Sequence, residues 1–158
     1  MAYRLQPKLR HTEGLDTMDT MDTKERQALG PNAAARAVID CALKVHTALG
    51  AGVLESAISA CLFYEFTVAG LHVKHQVHLP LVYKDIHLPI AYRVDFIVED
   101  CLIVEVKCVE KLLPVHKAQL LSYLKLTRLK LGLLLNFNVP HLREGGIKRV
   151  INGAESEL

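Results

Sequence analysis

The fold is decided by the stretch Tyr92-Arg93-Val94-Asp95-Phe96-Ile97-Val98-Glu99-Asp100-Cys101-Leu102-Ile103-Val104-Glu105-Val106-Lys107. Two mainly aliphatic or aromatic segments, residues 94–98 and 102–106, flank the polar pair Glu99-Asp100. Short apolar runs bounded by a polar turn are typical of buried strands. The sequence therefore predicts a β-hairpin that turns at Glu99-Asp100.

Three charged residues interrupt this hairpin: Asp95, Glu105 and Lys107. Side chains two apart on a strand share a face, so Glu105 and Lys107 point the same way. The turn brings Asp95 beside them. Buried carboxylates are costly unless they are paired or bind a cation. Two carboxylates and one ammonium on a sheet face therefore predict a site for a divalent metal and a phosphate.

Outward from the hairpin, periodicity predicts the order helix, helix, three antiparallel strands, helix, strand, with a short last strand. Asn32 is the predicted N-cap of the first helix, and Pro114 starts the third helix. The expected helices cover 32–49, 53–69 and 114–126, and the expected strands cover 71–83, 86–98, 102–108, 129–137 and 147–151. This order predicts an α/β domain with a mixed sheet.

The chain divides by composition. Residues 1–31 carry the near-repeat Asp16-Thr17-Met18-Asp19-Thr20-Met21-Asp22-Thr23 without apolar periodicity. We interpret them as a flexible leader with a short helix near Lys24 to Leu29. Residues 32–153 form one predicted domain, a size that agrees with a chain of 158 residues, and residues 154–158 form a tail.

The compartment is predicted from what the sequence lacks. No apolar run reaches the roughly 18 residues of a membrane span, and no secretory signal is recognisable. The four cysteines form no CxxC pair, so the usual spacing of zinc ligands is missing. Reduced thiols are therefore favoured. We therefore expect a cytoplasmic protein without a membrane partner. The scattered histidines His72, His75, His78 and His87 leave a metal cluster open, but solvent-facing strand positions are favoured.

Charge is distributed unevenly. The span 111–149 holds eight Lys or Arg and one acidic residue, a net +7, so the rest of the chain is −5 within the total of +2. Such asymmetry predicts a surface that faces a polyanion. Lys111, Lys117 and Lys125 are the predicted phosphate contacts, together with Tyr123. The alternative, ordinary lysines on a helix surface, stays open.

The order Asp95, Glu105-Val106-Lys107, then a helix with Gln119 and Tyr123, resembles the PD-(D/E)xK nuclease superfamily. Within it, the chain more closely resembles the GxxExxY family over residues 32–153. The matching blocks are Val45-His46, Leu49-Gly50, Gly52-Val53-Leu54-Glu55, Tyr92-Arg93-Val94-Asp95, Glu105-Val106-Lys107, Glu110-Lys111-Leu112-Leu113-Pro114, Ala118-Gln119-Leu120-Leu121 and Asn136-Phe137-Asn138-Val139-Pro140. One departure is Ile58, which stands where that family has Tyr.

The resemblance implies a restriction-endonuclease-like core and a metal-dependent nuclease that hydrolyses DNA in repair, recombination or defence. Mg²⁺ is the implied cofactor, and Mn²⁺ is an alternative, because both suit oxygen ligands. RNA stays open as a substrate, as does a homo-oligomer. A catalytically silent nucleic-acid-binding or interaction module on the same fold is the rival expectation, since fold does not fix function.

The resemblance also assigns metal ligands: Asp95, Glu105 and the Val106 carbonyl, with Glu55 completing the acidic cluster directly or through water. Each side chain has a plainer interpretation. A Glu-x-Lys pattern on a strand is most often a surface salt bridge, and Glu55 at a helix start complements the helix dipole.

The remaining implied catalytic residues are Lys107, which would orient water or stabilise the phosphorane, and Gln119. Gln119 and Tyr123 lie four apart on one helix face, where they could hold Lys107 or a phosphate oxygen. The plainer interpretations are a solvated Gln119 and a core Tyr123.

Overall fold

The computed structural model describes residues 27–154 and residue 156. Its helices are α1 (Pro31–Leu49), α2 (Glu55–Val68) and α3 (Pro114–Thr127), and its strands are β1 (Val73–Tyr83), β2 (Ile86–Val98), β3 (Leu102–Lys107), β4 (Leu131–Asn136) and β5 (Ile147–Ile151). An irregular turn over Leu142–Gly146 precedes β5. The predicted order of elements is confirmed, including the short last strand.

The five strands form one mixed sheet in the order β1-β2-β3-β4-β5. β3 and β4 are parallel, and the other neighbouring strands are antiparallel. Helix α3 lies between the two parallel strands in sequence, as a parallel crossover requires. The expected α/β class with a restriction-endonuclease-like mixed sheet and flanking helices is confirmed.

Both faces of the central strands are buried, which explains their nearly continuous apolar sequence. One core cluster joins α1 and α2 to Val104 and Val106 of β3. The other joins α3 to Ile103 of β3. Side chains alternate along a strand, so Glu105 and Lys107 share the α3 face of the sheet with Ile103.

Helix α3 packs closely on the sheet because β4 carries Gly132. A Cβ atom at Gly132 would lie 2.9 Å from Leu120 Cδ1, closer than real Cβ contacts. Leu120 is completely buried. The missing side chain therefore lets α3 approach the face that carries Glu105 and Lys107.

The hairpin turn lies where the sequence predicts it. Glu99 and Asp100 both have φ of 53°, and the Cys101 N–H donates to the Val98 carbonyl at 3.2 Å. Two left-handed central residues match the twist of the flanking strands. The Glu99 carboxylate accepts the N–H of His72 at 2.7 Å, which anchors the turn to the residues that precede β1.

Several predicted boundaries are wrong by a few residues. Asn32 is not the N-cap: Gly30 holds that position and Pro31 is the first helical residue. Pro fits the first helical position because its φ is already helical and its missing N–H has no partner there. Asn32 Oδ1 instead accepts from Arg149 at 2.8 Å. Helix α2 begins at Glu55 rather than Val53.

Most of the predicted leader lies outside the described residues. The short helix expected near Lys24 to Leu29 falls largely there, and residues 27–30 are not helical. Leu29 nevertheless contacts the domain, because its N–H donates to Glu99 at 3.4 Å. Within the described part of the chain, no helix is both long and apolar enough to cross a membrane. The four cysteines, all described, are free thiols.

Candidate active site

The three charged residues of the hairpin meet at one cavity of about 530 Å³. Regular pairing of β2 with β3 ends at Phe96 and Val104, so one step further along each strand brings Asp95 opposite Glu105. The cavity is lined by Glu55, His78, Ile90, Ala91, Tyr92, Arg93, Asp95, Glu105, Lys107, Gln119 and Tyr123. Four predicted catalytic side chains and Tyr123 thus accompany Asp95.

Glu105 is a buried carboxylate, only 3% exposed. Its Oε1 accepts from Lys107 Nζ at 2.9 Å, whereas Oε2 is buried without a partner among the described residues. Burial raises the pKa of this carboxyl and the charge of Asp95 raises it further, whereas Lys107 and, more weakly, the backbone N–H of Asp95 lower it, so that the pKa is about 7. A surface salt bridge is therefore the wrong interpretation of the Glu-x-Lys pattern.

Lys107 is held by two oxygens of its own strand. Its ammonium donates to Glu105 Oε1 and, at 3.1 Å, to the Val106 carbonyl. Burial lowers the pKa of Lys107, but Glu105, Glu55 and Asp95 together outweigh it, so the pKa is raised above its ordinary value. Lys107 is consequently a positioned positive charge at neutral pH.

Asp95 lies at an irregularity in its strand. Its Oδ2 accepts the Val106 N–H at 2.9 Å, and its Oδ1 accepts from the Gln76 amide at 3.4 Å. Gln76 has φ of 54° inside β1, an uncommon backbone conformation for this residue type. Val94 and Ile97 pack in the same cluster although they are three apart, so strict alternation of the two faces breaks near Asp95, while the pairing register of β1 with β2 is the same on both sides of it.

Gln119 and Tyr123 form a pair of their own on α3. Gln119 Nε2 donates to the Tyr123 hydroxyl at 2.6 Å, and neither side chain has a hydrogen bond to Lys107 within the described chain. Tyr123 is 2% exposed, and its ring packs edge-on against Tyr92 at 5.6 Å. Burial raises the pKa of its hydroxyl, and nearby Glu105 adds to this. Tyr123 is thus both a core residue and part of the cavity wall.

Glu55 lines the cavity from helix α2, which packs on the opposite face of the sheet from α3. It is the first residue of α2 and is exposed. Its negative charge contributes to the raised pKa of Lys107, so the two side chains interact across the cavity. The position at the helix start also complements the dipole, as the plainer interpretation expects.

The three lysines predicted to contact phosphate do not line this cavity. Lys111, Lys117 and Lys125 are all exposed. With about 100° per residue in a helix, Lys117 points roughly 160° away from Gln119. Their contact with phosphate therefore stays a prediction that the cavity does not support.

Arg93 and His78 are the basic side chains of the cavity that were not predicted from the sequence. Their Cα atoms are cross-strand partners in β1 and β2. Arg93 belongs to the block Tyr92-Arg93-Val94-Asp95 that resembles the GxxExxY family, and this block was the available signal. His78 offered no comparable signal, because its place depends on the pairing with β2.

The donor set fits a hard divalent cation. The side chains available are carboxylates, the ligands that Mg²⁺ prefers, and Mg²⁺ commonly binds through one or two carboxylates while keeping waters. The unpartnered Oε2 of Glu105 is the atom that most clearly lacks a counter-charge. No group of three or more His, Cys, Asp or Glu within the described chain is arranged to hold a metal, so backbone oxygen or water would complete the set.

The mixed sheet, with a carboxylate–lysine site where an antiparallel strand meets two parallel ones, defines a restriction-endonuclease-like α/β protein. The chain belongs to the PD-(D/E)XK nuclease superfamily, whose family model matches residues 32–150. Nucleases of this superfamily typically use divalent metals. Searches of curated proteins and of solved structures gave no significant match.

Proposed function

We propose that this protein is a metal-dependent nuclease that hydrolyses phosphodiester bonds of DNA. The observation that carries the proposal is Glu105, a buried carboxylate with one unpartnered oxygen, beside Asp95 and bonded to Lys107. An unpaired buried carboxylate oxygen is costly. A strongly perturbed carboxyl in a cavity is also a common mark of a functional site. A bound cation would give the unpaired Glu105 oxygen a partner and would provide the positive charge that phosphodiester hydrolysis needs.

The proposed ligands are Asp95, Glu105 and the Val106 carbonyl, with Glu55 acting directly or through water. Mg²⁺ is the expected ion and Mn²⁺ the alternative. When bound, such an ion supplies positive charge against the developing charge on phosphate and a lowered pKa for water. Because Glu105 is buried, fewer water molecules compete with its carboxylate oxygens for the cation than at the surface.

Lys107 is proposed to orient the attacking water or to stabilise negative charge on the phosphate. Its ammonium is fixed by Glu105 Oε1 and the Val106 carbonyl, so little reorganisation is needed during the reaction. The Tyr123 hydroxyl accepts a hydrogen bond from Gln119, which leaves its own proton for a phosphate oxygen. Gln119 is then a positioning residue for Tyr123.

We further infer, from the sequence blocks, that the protein is a member of the GxxExxY family. A role in repair, recombination or defence fits a nuclease of this kind. The free thiols support a reducing, cytoplasmic location.

The test is cleavage of labelled DNA and RNA, single-stranded and double-stranded, linear and circular, with Mg²⁺, with Mn²⁺ and in chelator. We expect DNA cleavage that chelator abolishes and that Glu105→Gln abolishes. Glu110→Gln is the matched control, because Glu110 is exposed and outside the cavity lining. Cleavage by Glu105→Gln at the wild-type rate would overturn the proposal.

A catalytically silent binding module is the second candidate. It is favoured by the absence of a three-residue metal cluster from the described part of the chain. Such a module would bind DNA equally with metal and in chelator, and would cleave none of these substrates.

A further inference from the structure

Arg93 stands between two adjoining cavities. The first is the catalytic cavity of about 530 Å³. The second, of about 260 Å³, is lined by Glu55, Ser56, Ser59, His75, Gln76, Arg93 and Asp95. The two share Glu55, Arg93 and Asp95, so they adjoin at the proposed metal ligands.

The guanidinium of Arg93 is available to bind a ligand. Arg93 is exposed, and within the described chain it has neither an ion pair nor a side-chain hydrogen bond, although Glu55 and Asp95 line both of its cavities. A guanidinium presents a rigid fork of N–H donors that matches a phosphate bidentately. The acidic walls would repel a polyanion at this point unless a cation faces it.

His78 lies beside Arg93 on the neighbouring strand and lines the catalytic cavity. Its ring can add an N–H donor near Arg93. The smaller cavity also carries polar groups, among them the Ser59 hydroxyl, which lies 3.3 Å from His75 Nε2. A nucleic-acid strand leaving the catalytic cavity would therefore meet polar groups there as well as apolar surface.

We propose that Arg93 is a substrate-binding residue that grips the phosphate next to the scissile one, where the nucleic-acid strand passes from the catalytic cavity into the smaller cavity. This inference rests on the proposed nuclease function. The smaller cavity then receives the nucleotide flanking the cleaved bond. The plainer interpretation is an arginine that only balances the charge of the neighbouring carboxylates.

The test uses oligonucleotides in which one linkage is an uncharged methylphosphonate. Every bond in a given molecule is cleaved by the same protein, so cleavage next to the neutral linkage is compared with cleavage at distant bonds. A structural defect lowers the cleavage rate at all bonds alike, whereas the loss of one phosphate contact lowers the cleavage rate at one neighbouring bond only. In wild type we expect one adjacent bond to be cleaved about tenfold less than distant bonds, the loss of a charge-assisted contact.

In Arg93→Ala the same bond should be cleaved within about twofold of distant bonds, because the contact is already missing. Arg93→Lys should keep part of the wild-type pattern, since it keeps the charge without the fork. Arg36→Ala removes an exposed arginine outside both cavities and should behave as wild type. Arg93→Met, which keeps the aliphatic stem, replaces Arg93→Ala if that variant does not fold.

An unchanged suppression in Arg93→Ala, or no suppression in wild type, overturns the inference while leaving the nuclease function intact. A wild-type protein that cleaves no nucleic acid with either metal overturns the proposed function, and this inference with it.

Discussion

The carboxylate of Asp95 takes the place of a backbone acceptor for Val106: the Val106 N–H donates to Asp95 Oδ2 at 2.9 Å. Regular pairing of β2 with β3 ends at Phe96 and Val104, one residue from Asp95 and two residues from Val106. Val106 is completely buried, so its N–H needs a partner. Asp95 therefore closes the strand pair with the same side chain that is proposed to bind metal.

This double role separates two substitutions of Asp95. Asp95→Asn keeps an oxygen acceptor for Val106, so the free energy of unfolding should stay near that of wild type. Asp95→Ala leaves a buried N–H unpaired and should lower it by about 1–3 kcal/mol. Both variants should lose cleavage. Urea denaturation measures the difference, and equal stability of the two variants would contradict the role of this hydrogen bond.

The stability of the metal-free protein should depend on pH through Glu105. Its pKa is raised from 4.5 to about 7 in the folded protein, so the folded state holds a proton that the unfolded state releases between these values. The stabilising contribution is complete below pH 4.5 and is lost as pH rises through about 7, on the order of 3 kcal/mol. In chelator, Glu105→Gln should lack this component of the slope. Parallel curves of stability against pH for the two proteins would refute the assignment.

Metal affinity should change in the opposite direction with pH. The ionised form of Glu105 is the ligand, so protons compete with Mg²⁺ below about pH 7 and the affinity should fall about tenfold per unit there. Calorimetric titration in buffers of different ionisation enthalpy measures both affinity and released protons. Glu110→Gln should bind as wild type does, and Glu105→Gln should bind weakly at every pH. A wild-type affinity that is constant from about pH 5.5 to 8 would count against Glu105 as a ligand.

Lys107→Arg should be a severe change. The ammonium fits between Glu105 Oε1 and the Val106 carbonyl, and a planar guanidinium is larger and directs its donors differently. We expect kcat to fall at least about 100-fold and DNA affinity in chelator to change little. The matched control is Lys44→Arg, at an exposed position outside the cavity and outside the basic span 111–149. Comparable kcat values for Lys107→Arg and its control would argue against a catalytic lysine.

Much of the site could be predicted because it is local. The turn at Glu99-Asp100 and the alternation of residues in β3 were sufficient to place Glu105 and Lys107 on one face and Asp95 beside them. Strand β4 could also be predicted, because a strand that is covered on both faces must be apolar throughout. These features depend on spacings of two residues and on one short turn.

Other features depend on tertiary contacts that no local pattern encodes. The left-handed backbone of Gln76 and the unpartnered oxygen of Glu105 arise from how β1 and α3 pack around the hairpin. Asn32 was misassigned as a cap because Gly30-Pro31 offers a competing helix start, and the fixed φ of Pro31 prevails. The place of Arg93 depends on two cavities that meet there, and both are formed by elements that are distant in the sequence.

The local origin of the site has a consequence for the order of events in folding. Asp95 and Glu105 are joined by one hairpin, which can form in microseconds, whereas α3 and β4 follow later in the chain. The acidic pair can therefore assemble while water still solvates it, and its desolvation falls on the step in which α3 docks over the sheet. Pulsed hydrogen exchange should then find the Val106 amide protected before the amides of α3, and simultaneous protection would contradict this order.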